Sequence, residues 1–210
     1  MRHHTLKIGL LAATLTAITA GCSTPPVDGS PGPQTNGVDA AGKLPSGAPH
    51  VAKPIDTAKA QAAPCSVLTP AQISSLGIVA TGKATDSPTG PACNWDDTTA
   101  TPTPVSIGIG FVTKGTGGLS SLYVQAESLK KNGGYFEPTD PVQGYPAVLY
   151  SLVDYRKRSR NADCNMAVGV SDALQFTVGV TVTTPTAQLD PCMIEKKAVD
   201  LMMTTLLAGS

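Results

Sequence analysis

Four cysteines limit what this chain can fold into more than any other feature. Cys65, Cys93, Cys164 and Cys192 stand as two pairs, 28 positions separating the members of each. No CxxC pair occurs, and zinc-type sites need clustered Cys or His, so the spacing points to disulfides and to no metal. Three connectivities are open to four cysteines. Pairing Cys65 with Cys93 and Cys164 with Cys192 keeps each bridge within one half of the domain and is the expected one. In the chain-entropy account each loop is worth about 3–4 kcal/mol, a sizeable share of an ordinary domain's stability of about 5–15 kcal/mol.

A fifth cysteine, Cys22, has a different setting. Arg2 and Lys7 precede an uncharged apolar run over residues 8–20. That run is shorter than the about 20 residues a membrane span needs, and its basic start and small-residue end read as an export signal. Ile18-Thr19-Ala20-Gly21-Cys22 matches the bacterial lipobox, in which the thiol receives a diacylglycerol and becomes the mature N-terminus. Thr19 stands where Leu is usual. Residues 1–21 are therefore expected as a lipoprotein signal peptide and Cys22 as the lipidation site. Two or more acyl chains give stable anchoring to the extracytoplasmic face of the cell membrane, an environment in which disulfides persist. Loss of residues 1–21 leaves 13 Lys and Arg against 15 Asp and Glu, a net charge of −2. Such a balance gives no electrostatic case for nucleic acid.

Residues 22–63 follow as a stretch of Pro, Gly, Ser and Ala without an aromatic residue. A segment so poor in large apolar side chains cannot offset the entropy of ordering, and it is expected as a disordered tether spanning about 35 Å on average. From residue 64 to 210 apolar periodicity appears between turn signals, over a length that suits one domain with a real core.

The elements of that domain can be read in order. Residues 68–77 form a helix with Thr69 as cap, Pro70 at the first position, Gln72 completing a capping box and Gly77 closing it. Val105, Ile107, Ile109 and Phe111 alternate as a strand, and so do Leu174, Phe176, Val178, Val180 and Val182. Residues 118–134 carry Leu119, Leu122, Tyr123, Ala126 and Leu129 along one helical face. Residues 145–155 and 164–170 are strands flanking a polar loop, and Asp190-Pro191 opens a closing helix that runs to Gly209. Short connections between strands imply an α+β fold: an antiparallel β-sheet packed with about three α-helices and stapled by the two disulfides.

The segments "PCSVLTPAQISSLG", "ACNW", "VQGYPAVL", "CNMAVGVSDALQFTVGV" and "DPCMIEKKAVDLMMTTLL" together resemble the DUF3558 family of actinobacterial lipoproteins. The resemblance spans residues 64–207 and includes all four domain cysteines, with Trp95 two residues beyond Cys93. It implies an exported, cysteine-bridged lipoprotein domain. The family's function is unknown, so it carries no catalytic residue over.

His3 and His4 leave with the signal and His50 falls in the tether, so the domain is expected to hold no histidine. That argues against Ser-His-Asp and Cys-His catalysis and against His-based metal sites. No catalytic residue and no cofactor is assigned. An extracytoplasmic hydrolase using carboxylates or Ser-Lys is the alternative, yet residues 74–83 lack SxxK spacing, and Asp96 and Asp97 would point to opposite sides of an extended chain. Residues 110–118 are glycine-rich without the GK[ST] ending of a phosphate loop. Trp95, beside Cys93, is expected to pack against a disulfide. The one charge cluster is Arg156, Lys157, Arg158 and Arg160, either a solvated hairpin tip or an anionic contact with an envelope lipid headgroup, glycan or protein. Tyr145, Tyr150 and Tyr155 lie nearby in sequence. The expected role is a non-enzymatic binding module in the cell envelope.

Overall fold

The computed structural model describes residues 39, 42–97, 104–115, 117–186 and 188–209. The signal segment 1–21 and Cys22 lie outside them. In chain order the elements are α1 (Ala58–Ala62), a 3-10 turn (Pro64–Val67), α2 (Pro70–Ser75), β1 (Lys83–Ser87), β2 (Gly90–Asp97), β3 (Val105–Phe111), α3 (Ser120–Tyr123), α4 (Ala126–Lys131), β4 (Tyr135–Pro138), β5 (Ala147–Ser151), β6 (Ala162–Gly169), β7 (Gln175–Val182) and α5 (Pro191–Gly209). The seven strands form one antiparallel sheet in the order β1-β2-β3-β7-β6-β5-β4. The α+β architecture expected from the sequence is the one observed, and both expected bridges, Cys65–Cys93 and Cys164–Cys192, are present.

Side-chain alternation sends the two faces of the sheet to different surroundings. Trp95, Ile107, Ile109, Phe111, Cys164, Met166, Val178 and Val180 face a large core closed by the 3-10 turn, α2 and α5. Phe136, Val148 and Ala167 face a smaller cluster with Leu119, Leu122 and Leu129. The capping box of α2 forms as read: Gln72 N–H donates to Thr69 Oγ1 at 3.2 Å, and Thr69 N–H donates to Gln72 Oε1 at 2.7 Å. Asp190 Oδ1 accepts from Met193 N–H at 2.9 Å, which caps α5.

Three expectations need correction. The helix over residues 118–134 is two short ones, α3 and α4, with Val124 and Gln125 between them. Val124 is β-branched and 72% exposed, and Gln125 N–H donates to Leu122 O, a tight i to i−3 turn. The boundary between tether and domain falls earlier than residue 64. Leu44, Ala48, Val51, Ile55 and Ala60 are buried, and α1 lies within the expected tether. This strap is fastened by backbone: Ile55 N–H donates to Val170 O at 2.9 Å, and Tyr145 Oη donates to Lys53 O at 2.9 Å. His50 therefore belongs to the folded unit. Its Nδ1 lies 2.7 Å from Asp172 Oδ2, and Val51 N–H donates to Asp172 Oδ1 at 2.8 Å. Among the described residues Asp172 is the only side chain hydrogen-bonded to His50.

On the buried side of α5, Ile194, Ala198, Val199, Met202 and Met203 pack toward β6 and β7. Glu195 shares that side. It is fully enclosed, and neither carboxylate oxygen finds a hydrogen-bond partner among the described residues. Burial pushes its carboxyl up to about 9, an effect the Lys196 charge offsets only in part.

Candidate functional site

The second face of the sheet is not wholly covered. The smaller cluster reaches β4, β5 and the Ala167 end of β6, and Ser121 and Tyr150 extend the cover to Gln175 and Thr177 of β7, whereas Asp96 of β2 and Thr181 of β7 on the same face are exposed. Cross-strand register lays two polar rows there. Asn94, Gly108, Gly179 and Asn165 stand side by side on β2, β3, β7 and β6, and Asp96, Ser106, Thr181 and Asp163 form the next row. The glycines leave room for the asparagine amides to lie over them. A Cβ on Gly108 would sit 2.9 Å from Asn94 Oδ1, and one on Gly179 only 2.6 Å from Asn165 Oδ1. The result is a shallow floor of amide and hydroxyl groups.

At the β6 end this floor runs into a cavity of about 420 Å³ beneath the loop between β5 and β6, with Tyr155, Arg158, Asn161, Asp163, Asn165 and Thr181 among its walls. Asn161 adopts φ +50°, a left-handed turn that asparagine tolerates, where the chain enters β6. Arg158 lays its guanidinium 3.5 Å over the Tyr155 ring, which fixes a cation at the rim. Asp163 accepts from Asn165 Nδ2 at 2.8 Å through one carboxylate oxygen, while the other is buried without a partner among the described residues. Burial raises the Asp163 carboxyl, and the Asn165 bond and the Arg158 charge oppose that rise. Among the described residues Asp163 is the one carboxylate on the cavity wall, which brings an acceptor beside the Arg158 cation.

The four basic residues of the candidate anionic contact have different surroundings. Arg156 is committed to the fold: Nη1 and Nη2 donate to Glu137 at 2.9 and 3.0 Å, and Nε and Nη2 donate to Asp154 at 2.9 and 2.7 Å. Its guanidinium also covers the Tyr135 ring at 3.7 Å. Two carboxylates already neutralise it, so the anionic-contact reading loses Arg156 and rests on Lys157, Arg158 and Arg160, all exposed. The tyrosines part company in the same way. Tyr145 anchors the strap and Tyr150 packs against the smaller cluster, while Tyr155 alone reaches the cavity. Asp97 points into the core and accepts from Val79 N–H at 2.9 Å, and Asp96 is exposed on the other face, as neighbours on a strand must be. Trp95 packs beside Cys93 in the core. No group of three or more His, Cys, Asp or Glu that could hold a metal occurs among the described residues.

Sequence reasoning did not find the polar floor. Its signal was present as small and amide residues alternating with the apolar ones in "ACNWDD", "VSIGIGF" and "FTVGVTV". Only the register brings those positions into rows.

Geometry thus defines a disulfide-stapled α+β domain with one polar sheet face left open beside a basic loop. The family model described as a protein of unknown function (DUF3558) matches residues 17–205, and the chain belongs to that family. No curated protein and no solved structure matches it.

Proposed function

We propose that this protein is a cell-envelope lipoprotein anchored through Cys22, whose domain binds an envelope ligand or partner and catalyses no reaction. The observation that carries the binding role is the open polar face with its cavity: convergent amide, hydroxyl and carboxylate groups beside a fixed guanidinium suit recognition of a hydroxylated or anionic surface. The address rests on the basic start, the short apolar run and the Ile18-Thr19-Ala20-Gly21-Cys22 motif. Among the described residues no helix is long and apolar enough to cross a membrane. Cys22→Ser should abolish metabolic labelling by palmitate and move the protein out of the membrane fraction. Undiminished labelling of that variant ends the anchor reading.

The binding role is tested on the full chain carrying Cys22→Ser, titrated against anionic vesicles and envelope glycan extracts at two ionic strengths. Replacing Lys157, Arg158 and Arg160 together by Gln should weaken binding and reduce its salt dependence. Melting should shift little, because exposed charges contribute about 0–1 kcal/mol. Arg156→Gln should do the reverse and cost about 1 kcal/mol of stability, since it removes a guanidinium that bridges two exposed carboxylates and covers the Tyr135 ring. Equal binding by the wild type and the triple variant would leave the loop as a solvated hairpin tip.

A further inference from the structure

A second cavity, of about 440 Å³, lies on the core side of the sheet, between α2 and the segment 78–82. Leu68, Ile73, Ile78, Val79 and Trp95 supply its apolar walls, and Ser74 and Thr81 add hydroxyls. Three features say what it would hold. Among the described residues no Lys, Arg, Asp, Glu or His lines it, so none of them compensates the desolvation of a charged ligand. Trp95 is only 3% exposed, and its indole N–H meets no acceptor among the described residues. That nitrogen lies against the cavity wall at Gly82, where an added Cβ would come within 2.7 Å of Nε1 and 2.8 Å of Cys93 Sγ. Finally, Val79 is 84% exposed beside this apolar space, on a segment fixed by its bond to Asp97. The indole N–H is not among the fully enclosed polar atoms, so a ligand acceptor on that wall can replace water as its partner.

We propose that this cavity binds an uncharged alkyl chain headed by one hydrogen-bond acceptor, an ester or amide carbonyl. The carbonyl accepts from Trp95 Nε1 and the chain lies along Leu68, Ile73, Ile78 and Val79. Largely aliphatic walls with the indole donor and two hydroxyls match that chemistry, and the volume falls within the ordinary range of small-molecule sites, about 300–1,000 Å³. The inference depends on neither the lipid anchor nor the open polar face. The same chemistry is available from a free ester or from the acyl chain of a membrane glycerolipid.

Trp95 is the sole tryptophan of the chain, so its emission reports the cavity directly. The probes are a medium-chain alkyl ester brominated at its far end, the matching bromo-carboxylate, and phosphatidylcholine vesicles with brominated acyl chains. Each is added without detergent to the full chain carrying Cys22→Ser. Bromine quenches indole on contact. The ester should quench Trp95 saturably, and the carboxylate should bind about tenfold or more weakly, the cost of burying an unpaired charge. Val79→Asp alters an exposed position and should weaken the ester about tenfold, whereas Val124→Asp, at an exposed position elsewhere, should not. Ser74→Phe, on the exposed side of α2, fills the cavity by volume and should abolish saturable quenching. Quenching from vesicles assigns the chain to a membrane glycerolipid, and quenching by the free ester alone assigns it to a soluble ester. Quenching that never saturates, that treats ester and carboxylate alike, or that Val79→Asp and Ser74→Phe leave intact, overturns the proposal.

Discussion

Glu195→Met should raise stability at neutral and alkaline pH and remove most of its fall between about pH 4.5 and 9. In the unfolded chain this carboxyl ionises near 4.5; enclosed between α5 and the sheet it holds its proton to about 9. Between those values the unfolded chain gives up the proton and the folded one keeps it. Stability is therefore fully present below 4.5 and declines by about 1.4 kcal/mol per pH unit until it levels off above 9. The accumulated loss is about 3 kcal/mol at pH 7 and about 6 kcal/mol at pH 9, enough to threaten a marginally stable domain. Met matches the volume and lacks the polar atoms, so it should gain at every pH above about 5. Glu195→Gln separates charge from polarity. It should flatten the pH dependence as Met does but gain less, because the amide also lacks partners. Urea unfolding of the three proteins at pH 5, 7 and 9 reads both effects. Parallel pH profiles for wild type and Glu195→Met would show that this carboxyl is solvated in the folded protein.

Glu195 also shows what the sequence could and could not yield. It falls on the stripe of Ile194, Ala198, Val199 and Met202, so helical spacing alone places a carboxylate on the buried side of α5. The same spacing, together with caps, marks α2 and α5, and alternation marks β3 and β7. Other elements carry no such signal. The strand β1, Lys83–Ser87, has no large apolar residue and exists as the edge partner of β2. Four residues make up β4, ending in Pro138 at the opposite edge, where a missing donor costs nothing. The strap hides its buried residues, Leu44, Val51 and Ile55, at wide intervals among Pro, Gly and Lys, so no local period reveals that they fasten to the sheet. Loop charge was visible, but its division was not. Arg156 is bound to Glu137 across 19 positions of sequence, a partner that only the pairing of β4 with β5 brings near.

The disulfides give the other large effect. Replacing Cys164 and Cys192 together by Ala should cost about 3–4 kcal/mol at pH 5, the entropy of a freed 28-residue loop together with lost packing at a fully buried Cys164. The Cys65/Cys93 double variant should cost a similar amount and also shift Trp95 emission, because the indole and Cys93 Sγ share one wall at Gly82. The two bridges should differ in their response to pH. Cys192 ties the first turn of α5 to β6, and Glu195 lies one turn further along. While the bridge holds, that turn cannot lift to hydrate an ionised Glu195, so the full burial penalty persists. Freed of the bridge, the turn can rise and let the carboxylate reach water, which weakens the alkaline loss. Residues in one turn are expected to couple in this way rather than add. Deleting Cys164–Cys192 should accordingly cost less at pH 9 than at pH 5, and in a Glu195→Met background its cost should no longer depend on pH. The Cys65–Cys93 bridge, on the 3-10 turn and β2, should cost the same at both pH values in either background. A pH-independent cost for the Cys164–Cys192 bridge in the presence of Glu195 would mean that the bridge does not hold the carboxyl in place.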